Sequence, residues 1–257
     1  MANFDAAGAM GEITLWIQGF FSGAGGAGEG CPAVVGLSGG KDSSVVAALC
    51  ARALGAGRVF GVLMPQGEQW DMGVALDVAG FLGIRHSVVN VGGCVDAVFA
   101  AMREGGLEPS GQAATNAPAR VRLAALYAAA ATLGGRVACT CNLSENWVGY
   151  STKFGVGAAG DFSPIAALTS TEVRAVGRAL GLPARFVDKE PEDGLSGMTD
   201  EENLGFSYGA LDALIRGGDC ESAALRARIG ALRRAGLHKL EPIPRCEPRA
   251  APAIAGP

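Results

Sequence analysis

The sequence predicts an α/β fold with a doubly wound, mainly parallel sheet flanked by helices in three layers. Short apolar runs alternate with helical segments at the spacing of parallel βαβ units. The chain has 257 residues, 49% of them apolar and 40 of them Gly, which suits one domain with a core of Ala, Val and Leu. We expect a single domain at 1–240 and a disordered, Pro- and Ala-rich tail at 241–257.

Helical periodicity and turn residues assign the elements in chain order. The predicted helices are 4–21, 42–54, 71–82, 95–104, 117–133, 171–180, 199–216 and 221–237. The predicted strands are the apolar run that ends at Gly36 and the segments 58–64, 85–91 and 136–140. Segments 149–163 and 188–198 lack either period, so we expect them to be functional loops. Ligands of such sheets bind outside the carboxyl ends of the strands.

A strand, a tight turn and a helix N-terminus meet at 34–44. Gly39 and Gly40 allow the backbone to approach a ligand, and the free N–H groups of the first helical turn favour an anion. Asp42 would repel a polyphosphate unless a divalent cation lay between them, so we interpret it as a Mg²⁺ ligand. The spacing is not that of a Walker A loop, which needs Ser or Thr at position 42. The alternative is a purely structural turn in which Asp42 and its neighbouring serines cap the helix.

Composition disfavours several classes of partner. The net charge of −4 and the pI near 5.3 leave no basic surface for nucleic acid. The seven Cys are scattered and never spaced C-x-x-C, which indicates buried residues of a reducing compartment. We see neither a signal peptide nor an apolar run of membrane-spanning length, so we expect a cytoplasmic protein that contacts no membrane.

Several motifs carry a family resemblance. The sequence S-G-G-K-D-S at 38–43 resembles the PP-loop ATP pyrophosphatases, Rossmann-like enzymes that cleave ATP between the α and β phosphates. Further motifs are N-A-P-A-R at 116–120, T-C-N-L-S-E at 140–145, G-Y-S-T-K-F-G at 149–155, D-F-S-P at 161–164, T-D-E-E-N-L-G at 199–205 and H-K at 238–239. Together, over about residues 4–240, they resemble the ammonia-dependent NAD synthetases.

The resemblance implies a reaction and a homodimer. ATP would adenylate the nicotinate carboxylate of deamido-NAD and release pyrophosphate, and ammonia would then displace AMP to give NAD. Because no amidohydrolase segment accompanies these motifs, we expect ammonium, not glutamine, to be the nitrogen source. No dedicated nucleophilic side chain is visible, so catalysis is expected to depend on charge neutralisation and positioning.

The resemblance also implies site residues. The ATP-binding set is Gly36, Leu37, Ser38, Gly39, Gly40, Lys41, Asp42, Ser43, Ser44, Gln69 and Thr140. The set for deamido-NAD is Asn116, Arg120, Lys153, Asp161, His238 and Lys239. Asp42 and Glu145 would hold Mg²⁺, and Asp161 is a candidate proton acceptor or ammonium binder. By position alone, Glu145 is also explained as a first-turn helix acid and Thr140 as a strand-end hydroxyl. Solvated surface groups are the corresponding alternatives for Gln69, Arg120 and His238.

The chain departs from the family pattern at three positions. Ser170 stands where a lysine is common, Leu63 where an arginine is common, and Glu192 follows a proline where Ser or Thr is usual. We hypothesise that Lys41 supplies the missing positive charge; the alternative is a solvated lysine that points away from the turn.

Other functions stay open at this point. They are another PP-loop adenylating ligase, a tRNA-thiolating enzyme, which the acidic composition disfavours, and a non-catalytic ATP-sensing module. The pair Asp42 and Glu145 favours catalysis, because a sensor needs no metal pair.

Overall fold

A computed structural model places residues 4–23, 27–28, 30–68, 72–188, 199–220 and 222–246. In these ranges four strands form one parallel sheet in the order β3-β2-β1-β4, which confirms the predicted fold class. The strands are β1 (Ala33–Gly36), β2 (Val59–Leu63), β3 (Arg85–Val88) and β4 (Arg136–Val137). A parallel bridge between Ala138 and Phe162 lies just beyond β4.

Helices connect and cover the strands. They are α1 (Ala6–Ser22), α2 (Lys41–Leu54), α3 (Met72–Leu82), α4 (Gly92–Glu104), α5 (Gly111–Leu133), α6 (Leu143–Val148), α7 (Ser170–Ala179), α8 (Ala184–Val187), α9 (Asp200–Leu204), α10 (Tyr208–Ile215) and α11 (Ala223–Gly236). Short 3-10 turns occupy Ala56–Arg58 and Leu237–Lys239. No helix of the described residues is long and apolar enough to cross a membrane.

The core lies on both faces of the sheet. Successive side chains of a strand point to opposite faces, so Val34 packs with Leu126 of α5 while Val35 packs with the helices of the other face, among them Val45 of α2. A third apolar cluster joins α6, α10 and α11 and includes Val148. These layers bring the carboxyl ends of β1, β2 and β4 to one edge of the molecule.

Several predicted elements differ from those of the structure. The helix expected at 199–216 is two helices, because Gly205 ends α9 in the left-handed region at φ +77° and Ser207 caps α10. Helix α5 begins at Gly111, before the predicted residue 117, because Ser110 caps it, and Pro118 lies inside the helix. The strands at 85–91 and 136–140 are shorter than predicted, and neither α6 nor α8 was among the predicted helices. Residues 241–246 form neither helix nor strand, and 247–257 lie outside the described part.

Candidate functional site

The turn after β1 is tightly constrained. The Leu37 N–H continues the sheet by donating to the Val62 carbonyl at 2.9 Å. Gly39 has φ +77°, and a Cβ there would lie 3.0 Å from the backbone nitrogen of Ala75 in α3. The hydroxyls of Ser43 and Ser44 donate to the Gly40 carbonyl at 3.1 and 2.8 Å. These contacts hold the start of α2 at the sheet edge.

Three helix N-termini converge beside this turn. The side-chain amide of Asn142, the N-cap of α6, donates to Asp42 Oδ1 at 2.9 Å and so joins α6 to α2. The Ser170 N–H, at the start of α7, donates to the Ser144 hydroxyl of α6 at 2.9 Å. Each N-terminus carries partial positive charge, so the convergence favours an anionic ligand.

Asn142 and Glu145 form a reciprocal capping box. The Glu145 N–H donates to Asn142 Oδ1 at 3.0 Å, and the Asn142 N–H donates to Glu145 Oε2 at 3.1 Å. Asn142 is fully buried and contacts both predicted metal ligands, yet sequence analysis missed it. Asn142 belongs to the family motif T-C-N-L-S-E at 140–145, and this membership could have identified it as a site residue.

Lys41 enters the same cluster from α2. Its side chain is 1% exposed, and its Nζ lies 2.6 Å from Asp42 Oδ2 and 5.5 Å from the centre of the Tyr208 ring. Burial alone would lower the pKa of this ammonium, but the carboxylates of Asp42 and Glu145 outweigh that effect and raise it. The alternative of a solvated lysine that points away from the turn is therefore wrong.

The acids repel one another. Burial, followed by the negative charge of Asp42, raises the pKa of Glu145 to about 8, although Lys41 acts in the opposite direction. The acids Asp42 of α2 and Glu145 of α6 thus lie beside the buried ammonium of Lys41. Such oxygen donors fit Mg²⁺, which typically binds one or two carboxylates together with substrate phosphates. Within the described residues no three or more His, Cys, Asp or Glu side chains group as a metal cage.

A second buried acid lies nearby. The Tyr208 hydroxyl donates to Asp200 Oδ2 at 3.2 Å, and burial raises the pKa of both groups. Lys41 and Asp42 lie within electrostatic range of Asp200. The sequence 199–202 was interpreted only as a capping box at the start of a helix. Asp200 was therefore not predicted to be a buried residue near the site.

The predicted residues for deamido-NAD, except Asp161, meet at the segment 149–153. The Thr152 hydroxyl donates to Asn116 Oδ1 at 2.7 Å, and Arg120 Nε donates to the Lys153 carbonyl at 3.2 Å. The Lys153 ammonium donates to the His238 carbonyl. Residues of α5 and of the C-terminal 3-10 turn therefore both form hydrogen bonds with the segment 149–153.

Lys239 completes this arrangement. Its Nζ donates to the carbonyls of Gly149 and Ser151 at 2.6 and 2.8 Å. Burial lowers the pKa of Lys239, and Cys141 lies close enough to oppose that shift. Gly236 packs so closely on Gly149 that a Cβ on either residue would lie 2.5 or 2.6 Å from the other backbone. The loop cluster is thus continuous with α6 and its Glu145.

Asp161 is placed elsewhere. Its Oδ2 accepts from the Val137 N–H of β4 at 2.8 Å, and its Oδ1 accepts from the Tyr127 hydroxyl at 3.2 Å. These bonds extend the edge of the sheet, and none of the contacts of the described residues joins Asp161 to Asp42 or Glu145. Its role as proton acceptor stays a prediction.

The remaining candidates have simple local contacts. The Thr140 N–H donates to the Gly157 carbonyl at 3.2 Å, at the end of β4. Leu63 is a fully buried core residue of β2. Gln69 and Glu192 lie outside the described residues.

The parallel sheet, the glycine turn after β1 and the buried acids define an α/β protein built to hold an anionic nucleotide at the carboxyl edge of its strands. Comparison with known proteins narrows this class. A sequence model of NAD synthase matches residues 13–229. An NH(3)-dependent NAD(+) synthetase from Pyrococcus furiosus is 41% identical over 183 residues, which cover 71% of this chain and 70% of the relative. The chain belongs to the NAD synthase family.

Solved structures of similar proteins have the same fold as this chain. An NMN synthetase from Francisella tularensis superposes with a TM-score of 0.85 at 29% identity, covering 96% of this chain and 100% of that one. An NH3-dependent NAD synthetase from Campylobacter jejuni superposes with a TM-score of 0.76 at 27% identity, covering 95% and 100%.

Proposed function

We propose that this ligase catalyses the ATP-dependent amidation of deamido-NAD by ammonia to give NAD, AMP and pyrophosphate. The observation that carries the proposal is the position of Asp42 and Glu145. Asn142 contacts both residues, directly beside a glycine turn at a sheet edge. Membership of the NAD synthase family, with NH(3)-dependent relatives about 40% identical, supports the same reaction.

The chemistry explains the architecture. In the first step a carboxylate attacks the α-phosphate of ATP, so both reactants are anionic and the barrier is largely electrostatic. The N–H groups of the glycine turn and the first turn of α2 orient the phosphates, and the Lys41 ammonium adds a buried positive charge. In the second step ammonia attacks the carbonyl of the acyl-adenylate, which breaks the bond to AMP.

We propose Mg²⁺ as the metal ion, held by Asp42 and Glu145. When bound, the ion neutralises negative charge on the phosphates. Asn142 fixes both acids in place by its three hydrogen bonds to them. Burial, followed by the negative charge of Asp42, raises the pKa of Glu145, and a divalent cation bound here would favour the ionised form of both acids.

We assign the loop cluster around 149–153 to the pyridine nucleotide. Arg120 and Lys153 are cationic groups that suit its phosphates, and Lys239 holds the loop on which Lys153 lies. This assignment puts the acceptor beside the C-terminal end of α6, the helix that carries Glu145.

A second candidate differs only in the acceptor. The similarity to the Francisella NMN synthetase covers the full length of that chain. It supports the alternative that this enzyme amidates the nicotinate mononucleotide and so produces NMN. The fold and the ATP side of the site serve either acceptor.

One assay tests both candidates. Purified protein is incubated with ATP, Mg²⁺ and ammonium chloride, with either deamido-NAD or nicotinate mononucleotide, and the products are separated by chromatography. We expect NAD, AMP and pyrophosphate, with a higher kcat/KM for the dinucleotide. A preference for the mononucleotide selects the second candidate. ADP as the nucleotide product would contradict the adenylation chemistry, and binding of ATP without turnover would indicate a sensor.

We also propose a cytoplasmic homodimer. All seven cysteines are unpaired, as expected in a reducing compartment. Exposed apolar side chains lie on β3, on α4 and α5 and between these helices, which suits a protein interface. They are Val88, Val98, Leu107 and Tyr127. Light scattering after gel filtration should give twice the mass of the chain, and a monomeric mass at micromolar concentration would contradict the dimer.

A further inference from the structure

Helix α7 carries an arginine whose position the reaction described above does not use. Arg174 is partly buried, and its Nε is buried without a hydrogen-bond partner among the described residues. The ion pairs formed between described residues do not include it. A buried guanidinium N–H that lacks a partner is costly, so such a group usually serves a ligand or an ordered water.

Helix packing places Arg174 beside the glycine turn. A Cβ on Gly177 of α7 would lie 2.9 Å from Val45 of α2, so the two helices touch closely at this point. Arg174 lies one helical turn before Gly177 in α7, and Lys41 lies one helical turn before Val45 in α2. The N-termini of α2 and α7 also meet at the same edge through α6, so the two helices run side by side in the same direction.

Electrostatics agrees with this placement. The positive charge of Arg174 is close enough to lower the pKa of Lys41, against the larger effect of the nearby carboxylates. Lys41 itself forms an ion pair with Asp42. The next arginine of α7, Arg178, points to another surface and pairs with Asp188.

A neighbouring hydroxyl lacks a partner as well. Ser170 lies one turn before Arg174 on α7 and is 1% exposed, and its Oγ has no partner among the described residues. Two polar groups on one face of α7 are therefore left unsatisfied next to the turn that precedes α2.

We propose that Arg174 binds the polyphosphate of ATP, and the pyrophosphate that leaves, as the principal cation contributed by α7. This inference rests on the proposed function, in which the glycine turn holds these phosphates. A guanidinium suits the task because it stays protonated and offers paired N–H donors to two phosphate oxygens. Together with the Lys41 ammonium, it would compensate for Ser170, which carries no charge.

Calorimetry with three ligands tests the assignment. Pyrophosphate, α,β-methylene-ATP and AMP are titrated, each with Mg²⁺, into wild-type protein and into the variants Arg174→Gln and Arg174→Lys. Arg178→Gln is the matched control, because it removes the same charge from the same helix. We expect Arg174→Gln to weaken pyrophosphate and the ATP analogue about 10- to 100-fold. AMP, which lacks the β and γ phosphates, should bind as in wild type.

The other variants sharpen the result. Arg174→Lys should restore part of the affinity, and Arg178→Gln should resemble wild type. In rising salt, Arg174→Gln should lose less pyrophosphate affinity than wild type does, since it has one cation fewer.

Two outcomes would overturn the assignment alone. One is wild-type affinity for pyrophosphate in Arg174→Gln, and the other is an equal loss for AMP and pyrophosphate, which would indicate general damage to the site. Wild-type protein that bound neither pyrophosphate nor the ATP analogue would instead overturn the proposed function.

Discussion

Binding of a metal ion at Asp42 and Glu145 should release a proton. The pKa of Glu145 is raised to about 8 in the metal-free protein, first by burial and then by the charge of Asp42. At pH 7 about 0.9 of the Glu145 side chains therefore carry a proton, which a metal ion has to displace. The apparent affinity at pH 7 should be about 10-fold below that of the ionised site, equivalent to about 1 kcal/mol, and it should fall further at pH 6.

Calorimetric titration with Mn²⁺ measures this linkage, since Mn²⁺ accepts the same oxygen ligands as Mg²⁺. Titrations at pH 7 in buffers of different ionisation enthalpy give the number of protons released, and titrations from pH 6 to 9 give the change in affinity. Glu145→Gln is the control, because it keeps the shape of the side chain and cannot ionise. An affinity that is independent of pH in wild type, or equal proton release from Glu145→Gln, would refute the reasoning.

The remaining predictions concern catalysis, the turn and stability. Asp42→Asn and Glu145→Gln should each lower kcat about 100-fold or more, as loss of a central electrostatic contact does, and a near-normal rate would remove that residue from the site. Ammonium should support turnover and glutamine should not; equal rates with ammonia-free glutamine would contradict this. Gly39→Ala should lower the free energy of unfolding by about 1–2 kcal/mol, since φ is +77° there, while Gly80→Ala in the open helix α3 should raise it by about 0.5–1 kcal/mol. Because the folded pKa of Glu145 exceeds its unfolded value, its contribution to metal-free stability is complete below about pH 4.5 and is lost as the pH rises through about 8. Thermal unfolding should therefore show wild type losing stability relative to Glu145→Gln between pH 5 and pH 8, and a constant difference would contradict the shifted pKa.

The residues of the glycine turn can be located from local sequence features alone. Paired glycines between an apolar run and a helix are such a feature, and so is the alternation of strands and helices. The family motifs add Glu145 and the residues around 149–153, which are distant in sequence from the turn. The structure shows that the residues around 149–153 share one loop cluster through Asn116, Arg120 and Lys239.

Sequence by itself determined the fold class and the position of the turn, because the period of apolar residues and the choice of turn residues are decided within a few positions of the chain. The tertiary structure decided where the charges point. Lys41 follows a glycine turn, and its sequence position does not determine the direction of its side chain. Packing against Tyr208 and the ion pair with Asp42 hold that side chain in the interior. Gly177 allows α7 to lie closely against α2, and Arg174 of α7 is near enough to act electrostatically on Lys41. The pairing of Lys41 with Asp42 is local, but the contacts with Asn142 and Tyr208 join residues 100 or more positions apart along the chain, and no local pattern encodes those.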